Sequence, residues 1–346
     1  MAKATIRKIE AICGIFLLLF VVCCSKDKQK EQYGVSISAP SIAGTPAEIF
    51  SQEHIALFRM ANGLNFELIR NTFQSDSSSD NQACSVLYLL KELCLTGTDE
   101  DYLKALEQYC AFSDTRSENL KNNFLSLEQT MHSIDSTLIF STRTDTSKIG
   151  EFKCEIDFLL PLMYEDALST APAFFSDCNL KKTKRNFFRL SGNFNTLATE
   201  EETISDIPIG NGNYSLLLIM PNEKQIRDYL KELTEQKYKK LTDRMEKRKT
   251  SITFPSFEDF ATETEILLPD IIISDTVIRQ HNITKLHTKI QLQKPTEALL
   301  QSMQKSMEDK IIDAKNEEDI CFNKPFLFFL KGSNSGAIIL QGIYRK

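Results

Sequence analysis

The stretch from Phe322 to Arg345 restricts the possible folds of this chain more than any other. Phe326-Leu327-Phe328-Phe329-Leu330 and Ala337-Ile338-Ile339-Leu340 are unbroken apolar runs, and between them lies the polar turn Gly332-Ser333-Asn334-Ser335-Gly336. Two such runs around a glycine-bearing turn predict a buried β-hairpin. A buried hairpin needs a large body around it. With 346 residues, 42% of them hydrophobic and 25% charged, the chain has the apolar material for a sizeable core in one large domain. The formal net charge is −6, and Lys and Arg are scattered among Asp and Glu. Nucleic acid is therefore not an expected partner.

The amino terminus stands apart from this domain. Lys3, Arg7 and Lys8 precede an apolar run from Ala11 to Val22 that ends at Cys23-Cys24. The run is shorter than the roughly 20 residues a spanning helix needs and has the character of a signal-peptide core, with a simple transmembrane anchor as the other reading. Val21-Val22-Cys23-Cys24-Ser25-Lys26-Asp27 resembles a bacterial lipoprotein signal, in which a cysteine becomes the lipidated first residue of the mature protein. Cys24 is the expected lipidation site. The resemblance implies a signal over residues 1–23, and a lipid-anchored location at the bacterial cell envelope: the outer membrane, its periplasmic face or the cell surface. The charged stretch 26–31, followed by Pro40 and Pro46, predicts a flexible tether over 24–49 and a single domain over 50–346. Cys84, Cys94, Cys110, Cys154, Cys178 and Cys321 then remain. Their irregular spacing fits neither a zinc site nor a small disulfide scaffold, which leaves buried free thiols and a single bridge both open.

Apolar residues recur at helical spacing over 50–71 and again from Val86 to Leu95, with a Ser/Asp-rich break at 75–81. A third helix is expected through Tyr102, Leu103, Leu106 and Tyr109, with Thr98 as its N-cap. Strands are predicted over 136–142, 152–160, 187–190 and 194–197. A further hairpin pairs 204–209 with 214–220 around Gly210-Asn211-Gly212-Asn213. Residues 223–249 predict one amphipathic helix, and 251–254 and 283–293 two more strands. Helices first and strands later, without strict alternation, define an α+β fold.

No enzyme signature emerges. Gly332-Ser333-Asn334-Ser335-Gly336 joins two strands rather than a strand and a helix, which excludes a nucleophile elbow. His54, His132, His281 and His287 show no metal-ligand spacing, so neither metal nor other cofactor is expected. His287 reads as a hydrogen-bonded core histidine of its strand.

FNKPFLFFL…GAIILQGIYR resembles the terminal hairpin of the serpin family, inhibitors that trap proteases by converting a cleaved loop into a strand. Residues 187–223 resemble the family's run of strands and hairpin ending in a proline-acid turn, 231–241 the helix after it, and 251–257 a strand with a terminal proline. NITKLHTKIQL (282–292) resembles the strand that leads into the reactive loop, with His287 at the family's histidine, and 95–106 an early loop and helix. The resemblance implies three β-sheets with a helical amino-terminal part, trimmed in the middle, in a monomer whose partner is a protease or another protein.

It also implies a reactive loop between residue 294 and the hairpin. Thr296, Glu297 and Ala298 match the family's hinge, but Pro295 replaces its glycine, and Leu299, Leu300, Gln301, Met303 and Gln304 replace its small residues. Counting from the hinge puts the bait at Asp309-Lys310, where Lys310 suits a trypsin-like pocket and Asp309 an acid-preferring one. The same segment carries Leu300, Met303, Met307, Ile311 and Ala314 at spacings of three and four, which predicts an amphipathic helix whose apolar face could bind a partner. Other departures are Cys84-Ser85-Val86 at the start of the second helix, Leu160-Pro161-Leu162 in a central strand, and the lack of any tryptophan. Two functions follow: a non-inhibitory surface scaffold, or a suicide inhibitor of serine or cysteine proteases.

Overall fold

Ser51 starts the first helix because its side chain accepts the otherwise unpaired N–H of His54 at 3.3 Å. That helix, α1, covers Gln52–Leu68 and runs on through a π-turn at Ile69–Phe73. The computed structural model describes residues 49–73, 80–96, 117–145, 151–162, 169–257, 260–266, 271–273, 276–278, 283–293 and 318–346, all within the compact unit Ala39–Lys346. Helix α2 spans Val86–Thr96, and the Ser85 hydroxyl accepts from Tyr88 N at 3.3 Å while donating to the Ile339 carbonyl. Helix α3, Ser117–Ile134, was not anticipated, although Leu120, Phe124, Leu127 and Met131 form its buried stripe at spacings of three and four. The expected helix through Tyr102 and the lipoprotein signal with its tether lie outside the described residues.

The single helix expected over 223–249 is instead two, α4 (Ile226–Glu232) and α5 (Glu235–Thr242). Leu233 turns extended, and Thr234 then caps α5 by accepting from Lys237 N at 3.1 Å. Residues beyond Met245 leave the helix because they pair with a neighbouring strand, so tertiary pairing overrides helical preference there.

The strands in chain order are β1 (Gln82–Cys84), β2 (Ile139–Asp145), β3 (Glu151–Pro161), β4 (Ser169–Ser176), β5 (Lys182–Ala198), β6 (Glu202–Ile209), β7 (Tyr214–Pro221) and β8 (Glu246–Pro255). They continue with β9 (Phe260–Ile266), β10 (Ile271–Ile273), β11 (Thr276–Ile278), β12 (Ile283–Gln293), β13 (Glu318–Cys321), β14 (Phe326–Gly332) and β15 (Ile338–Tyr344). The described residues form three sheets. One has the order β1-β15-β14-β7-β6-β5-β8-β13 with β4 also on β5, another the order β2-β3-β12-β9, and β10 pairs with β11 alone. The two strands expected within 187–197 are one long strand, because β5 serves β6 at one end and β4 at the other.

The terminal hairpin lies in the interior of the large sheet and is covered on both faces. Alternation along β14 sends Phe326 and Phe328 toward Phe257, Phe260 and Tyr344, with Phe257 and Phe328 rings 5.1 Å apart, while Phe329 turns to Phe66 and Tyr238. The two larger sheets are linked at the Ala83 carbonyl, which accepts from Thr288 Oγ1 at 3.3 Å and Thr264 Oγ1 at 3.5 Å. Gly210, at φ 60, makes the β6–β7 turn, where the Asp135 carboxylate accepts the Asn211 N–H at 2.8 Å.

Candidate functional site

In the four-stranded sheet, β12 runs antiparallel to β9 and β3 antiparallel to β2, yet β3 and β12 between them are parallel. Their register is unbroken from Ile283↔Glu151 to Gln293↔Pro161. The chain leaves this seam at Gln293 and reappears as β13, paired parallel to β8 in the other sheet. A strand folding back antiparallel to β12 and entering the seam would have antiparallel neighbours on both sides in place of one parallel ladder. Antiparallel pairing is the slightly more stable kind per residue. The topology therefore provides a slot beside the segment that follows it.

The two faces of the seam differ in chemistry. Ile156, Phe158 and Leu160 from β3 and Leu286, Thr288 and Ile290 from β12 are buried on the inner face. On the outer face a polar row crosses all four strands, Arg143–Glu155–His287–Glu263, in direct register. His287 Nε2 lies 3.2 Å from Glu263 Oε2. One register step on, Asp157 and Lys289 are opposite each other, and the Ser141 hydroxyl donates to Asp157 Oδ2 at 3.5 Å. Opening the seam would part His287 from Glu155 and Lys289 from Asp157 while leaving the outer partners in place. His287 is accordingly not the core histidine expected: its side chain is 35% exposed on the outer face, and Thr288 is the buried neighbour that bonds into the interior. The alternation of Lys285, His287, Lys289 and Gln291 with Leu286, Thr288, Ile290 and Leu292 carries that signal in the sequence.

Beneath β2 and β3, the ring of Tyr88 meets Phe140 at 5.5 Å and Phe158 at 6.1 Å. Burial pushes its phenol well above the ordinary range. Lys91 is buried and salt-bridged to Glu128 at 2.9 Å and Glu92 at 3.3 Å, and Thr142 of β2 donates to Glu92 at 2.7 Å. This cluster fastens β2 to α2 and α3. Pro161 is the last residue of β3, so it does not interrupt the ladder as a proline inside a central strand would.

The expected hinge (Thr296, Glu297, Ala298), bait (Asp309, Lys310) and apolar face (Leu300, Met303, Met307, Ile311) all lie outside the described residues, as does Cys24. Cys84, Cys178 and Cys321 are free thiols. Burial raises the Cys84 thiol to about 12, which makes it a poor nucleophile. Among the described residues no three His, Cys, Asp or Glu side chains are grouped to hold a metal ion.

The serpin (serine protease inhibitor) family model matches residues 164–346. No curated protein matches the chain. Among solved structures, the native thermophilic serpin tengpin is 15% identical, with a TM-score of 0.60 over 86% of this chain and 95% of tengpin. Native protease nexin-1, crystallised with heparin, is 11% identical at a TM-score of 0.57, covering 85% of this chain and 100% of its own. SRPN18 from Anopheles gambiae is 12% identical at a TM-score of 0.57, covering 84% of this chain and 98% of its own. At these identities the likeness is one of fold. The buried terminal hairpin, the parallel seam that leads straight into the segment before β13, and a family match over more than half the residues agree, and the chain belongs to the serpin family.

Proposed function

We propose that this serpin-family protein acts as a non-inhibitory binding scaffold, held at a bacterial envelope by lipid on Cys24, with the amphipathic stretch Leu299–Ala314 as its binding face. The observation that carries the reading is the mismatch between the seam's inner face and the segment that would have to split it. Ile156, Phe158, Leu160, Leu286, Thr288 and Ile290 already fill that face. In a returning strand, alternate side chains must enter this interior. One parity sends in Glu297, Leu299, Gln301 and Met303, and the other Thr296, Ala298, Leu300, Ser302 and Gln304. Overpacked side chains cost about 1–3 kcal/mol each, and a buried unpaired carboxylate such as Glu297 costs more. Pro295, at the turn itself, brings no N–H to the new ladder.

The parallel β3–β12 pair supports the second reading, a suicide inhibitor of serine or cysteine proteases with Asp309-Lys310 as bait, because it retains the slot that mechanism uses. Incubation with a protease panel, followed by denaturing electrophoresis, separates the two. A scaffold is cut near Asp309 without forming a covalent complex; a complex that survives denaturation would establish inhibition. Detergent-phase partition of the full chain, lost on Cys24→Ala, tests the anchor.

A further inference from the structure

The two most exposed large apolar residues among those described are in one hairpin: Phe174 on β4, 64% exposed, and Leu180 in the β4–β5 turn, 83% exposed. Between Leu180 and Asn186 the chain reads Lys181-Lys182-Thr183-Lys184-Arg185, and all four cations are exposed. None of the four pairs with a carboxylate among the described residues. The one acid of the turn, Asp177, is already engaged, its Oδ1 accepting the N–H groups of Asn179 at 2.8 Å and Lys181 at 2.9 Å.

Leu180 is held there at φ 63, a left-handed conformation that leucine rarely adopts. Its own N–H donates to the Asp177 carbonyl at 3.0 Å, and the Asp177 N–H to the Lys181 carbonyl at 3.0 Å, so a tight turn projects the isobutyl group into solvent. Along the ladder Phe174 is directly opposite Lys184 and Ser176 opposite Lys182, which puts the phenyl ring and two ammonium groups on one face of the hairpin. The tip is convex, apolar at its point and cationic around it, on a chain whose formal charge is −6. A concave protein pocket would be needed to receive a partner's apolar anchor; here the protein itself supplies the projecting wedge.

We propose that the β4–β5 hairpin tip docks on an anionic phospholipid bilayer, with Phe174 and Leu180 entering the interfacial layer and Lys181, Lys182, Lys184 and Arg185 engaging the headgroups. Amphipathic surfaces bind in this way through apolar burial added to attraction for anionic lipid. The inference does not depend on the scaffold reading, since neither the seam nor residues 296–314 take part in it.

The absence of tryptophan makes a clean test possible, because Phe174→Trp gives the full chain a single indole at an exposed position. Its fluorescence is measured with phosphatidylcholine vesicles and with vesicles containing phosphatidylglycerol, beside a control with Ile139→Trp, a 53% exposed site on β2. Expected is a blue shift at the hairpin with the anionic vesicles only, quenching by brominated lipid, and no shift at the control site. The apolar run near the amino terminus carries its own cations, Lys3, Arg7 and Lys8, so the control indole on β2 and the loss of the shift on removing the four hairpin cations isolate the tip. Adding K181Q, K182Q, K184Q and R185Q should abolish the shift. Should that variant fold poorly, 1 M salt on the parent does the same work, since it shortens the screening length to about 3 Å. An indole emission unchanged on anionic vesicles, as expected if the tip instead serves an acidic protein, overturns the proposal. So does a shift that survives both salt and charge removal.

Discussion

Gly342 is a position where one methyl group decides whether two strands can lie together. An added Cβ would be 2.5 Å from the Gln82 carbonyl oxygen of β1 and closer still to Phe328 Cζ of β14. Neither the strand backbone nor the buried ring has room to retreat. Gly342→Ala is expected to lower the unfolding free energy by about 1–3 kcal/mol, as overpacking of a filled core does, and denaturant titration reads it as a lower midpoint with unchanged slope. In the sequence Gly342 is only a gap in an apolar run, because the residues that crowd it come from β1 and β14. His287 was misjudged for a different reason. A lone histidine inside a strand, with no metal-ligand spacing around it, reads as a core residue, whereas strand parity gives the correct face, and shifting by one residue along a strand exchanges inside for outside.

At the scale of elements, local signals served best where an element's limits depend on its own residues. The hairpin of β6 and β7 was legible from two β-type runs around a glycine-bearing turn, and β12 from its polar–apolar alternation. The break between α4 and α5 was hidden because Tyr229, Leu230, Leu233 and Leu241 face the same core and so sustain one apolar stripe through it. Only Thr234 marks the restart, and Thr234→Ala is expected to cost about 1 kcal/mol of stability. The loss should appear as faster hydrogen exchange in α5 and at Tyr238, whose ring packs 5.1 Å from Phe329. Equal exchange in both proteins would mean that packing alone holds the helix. The parallel β3–β12 seam had no local signature at all, since its partners are far apart in the chain and joined by no turn.

For the whole molecule, the central question is whether the seam opens. A variant with Pro295→Gly, Glu297→Ala, Leu299→Ala, Leu300→Ala, Gln301→Ala, Met303→Ala and Gln304→Ala removes the bulk and the buried charge in both parities. After proteolytic nicking near Asp309 it is expected to melt well above its uncut form, while the parent melts at nearly the same temperature before and after cutting. Stabilisation of the cut parent would contradict the scaffold reading. The α+β class and the terminal hairpin were legible because apolar runs and turns are local, but the hairpin's place in the sheet was not. There β14 and β15 fill the gap between β7 and β1. Arg345 then ties the end down through its guanidinium, whose Nη2 donates to the Phe73 carbonyl at 2.9 Å. During synthesis, then, the middle of the largest sheet emerges from the ribosome after both of its flanks. A nascent polypeptide halted before Phe326 leaves β7 and β1 each with an open edge, so closure of this sheet waits until β14 and β15 have been made.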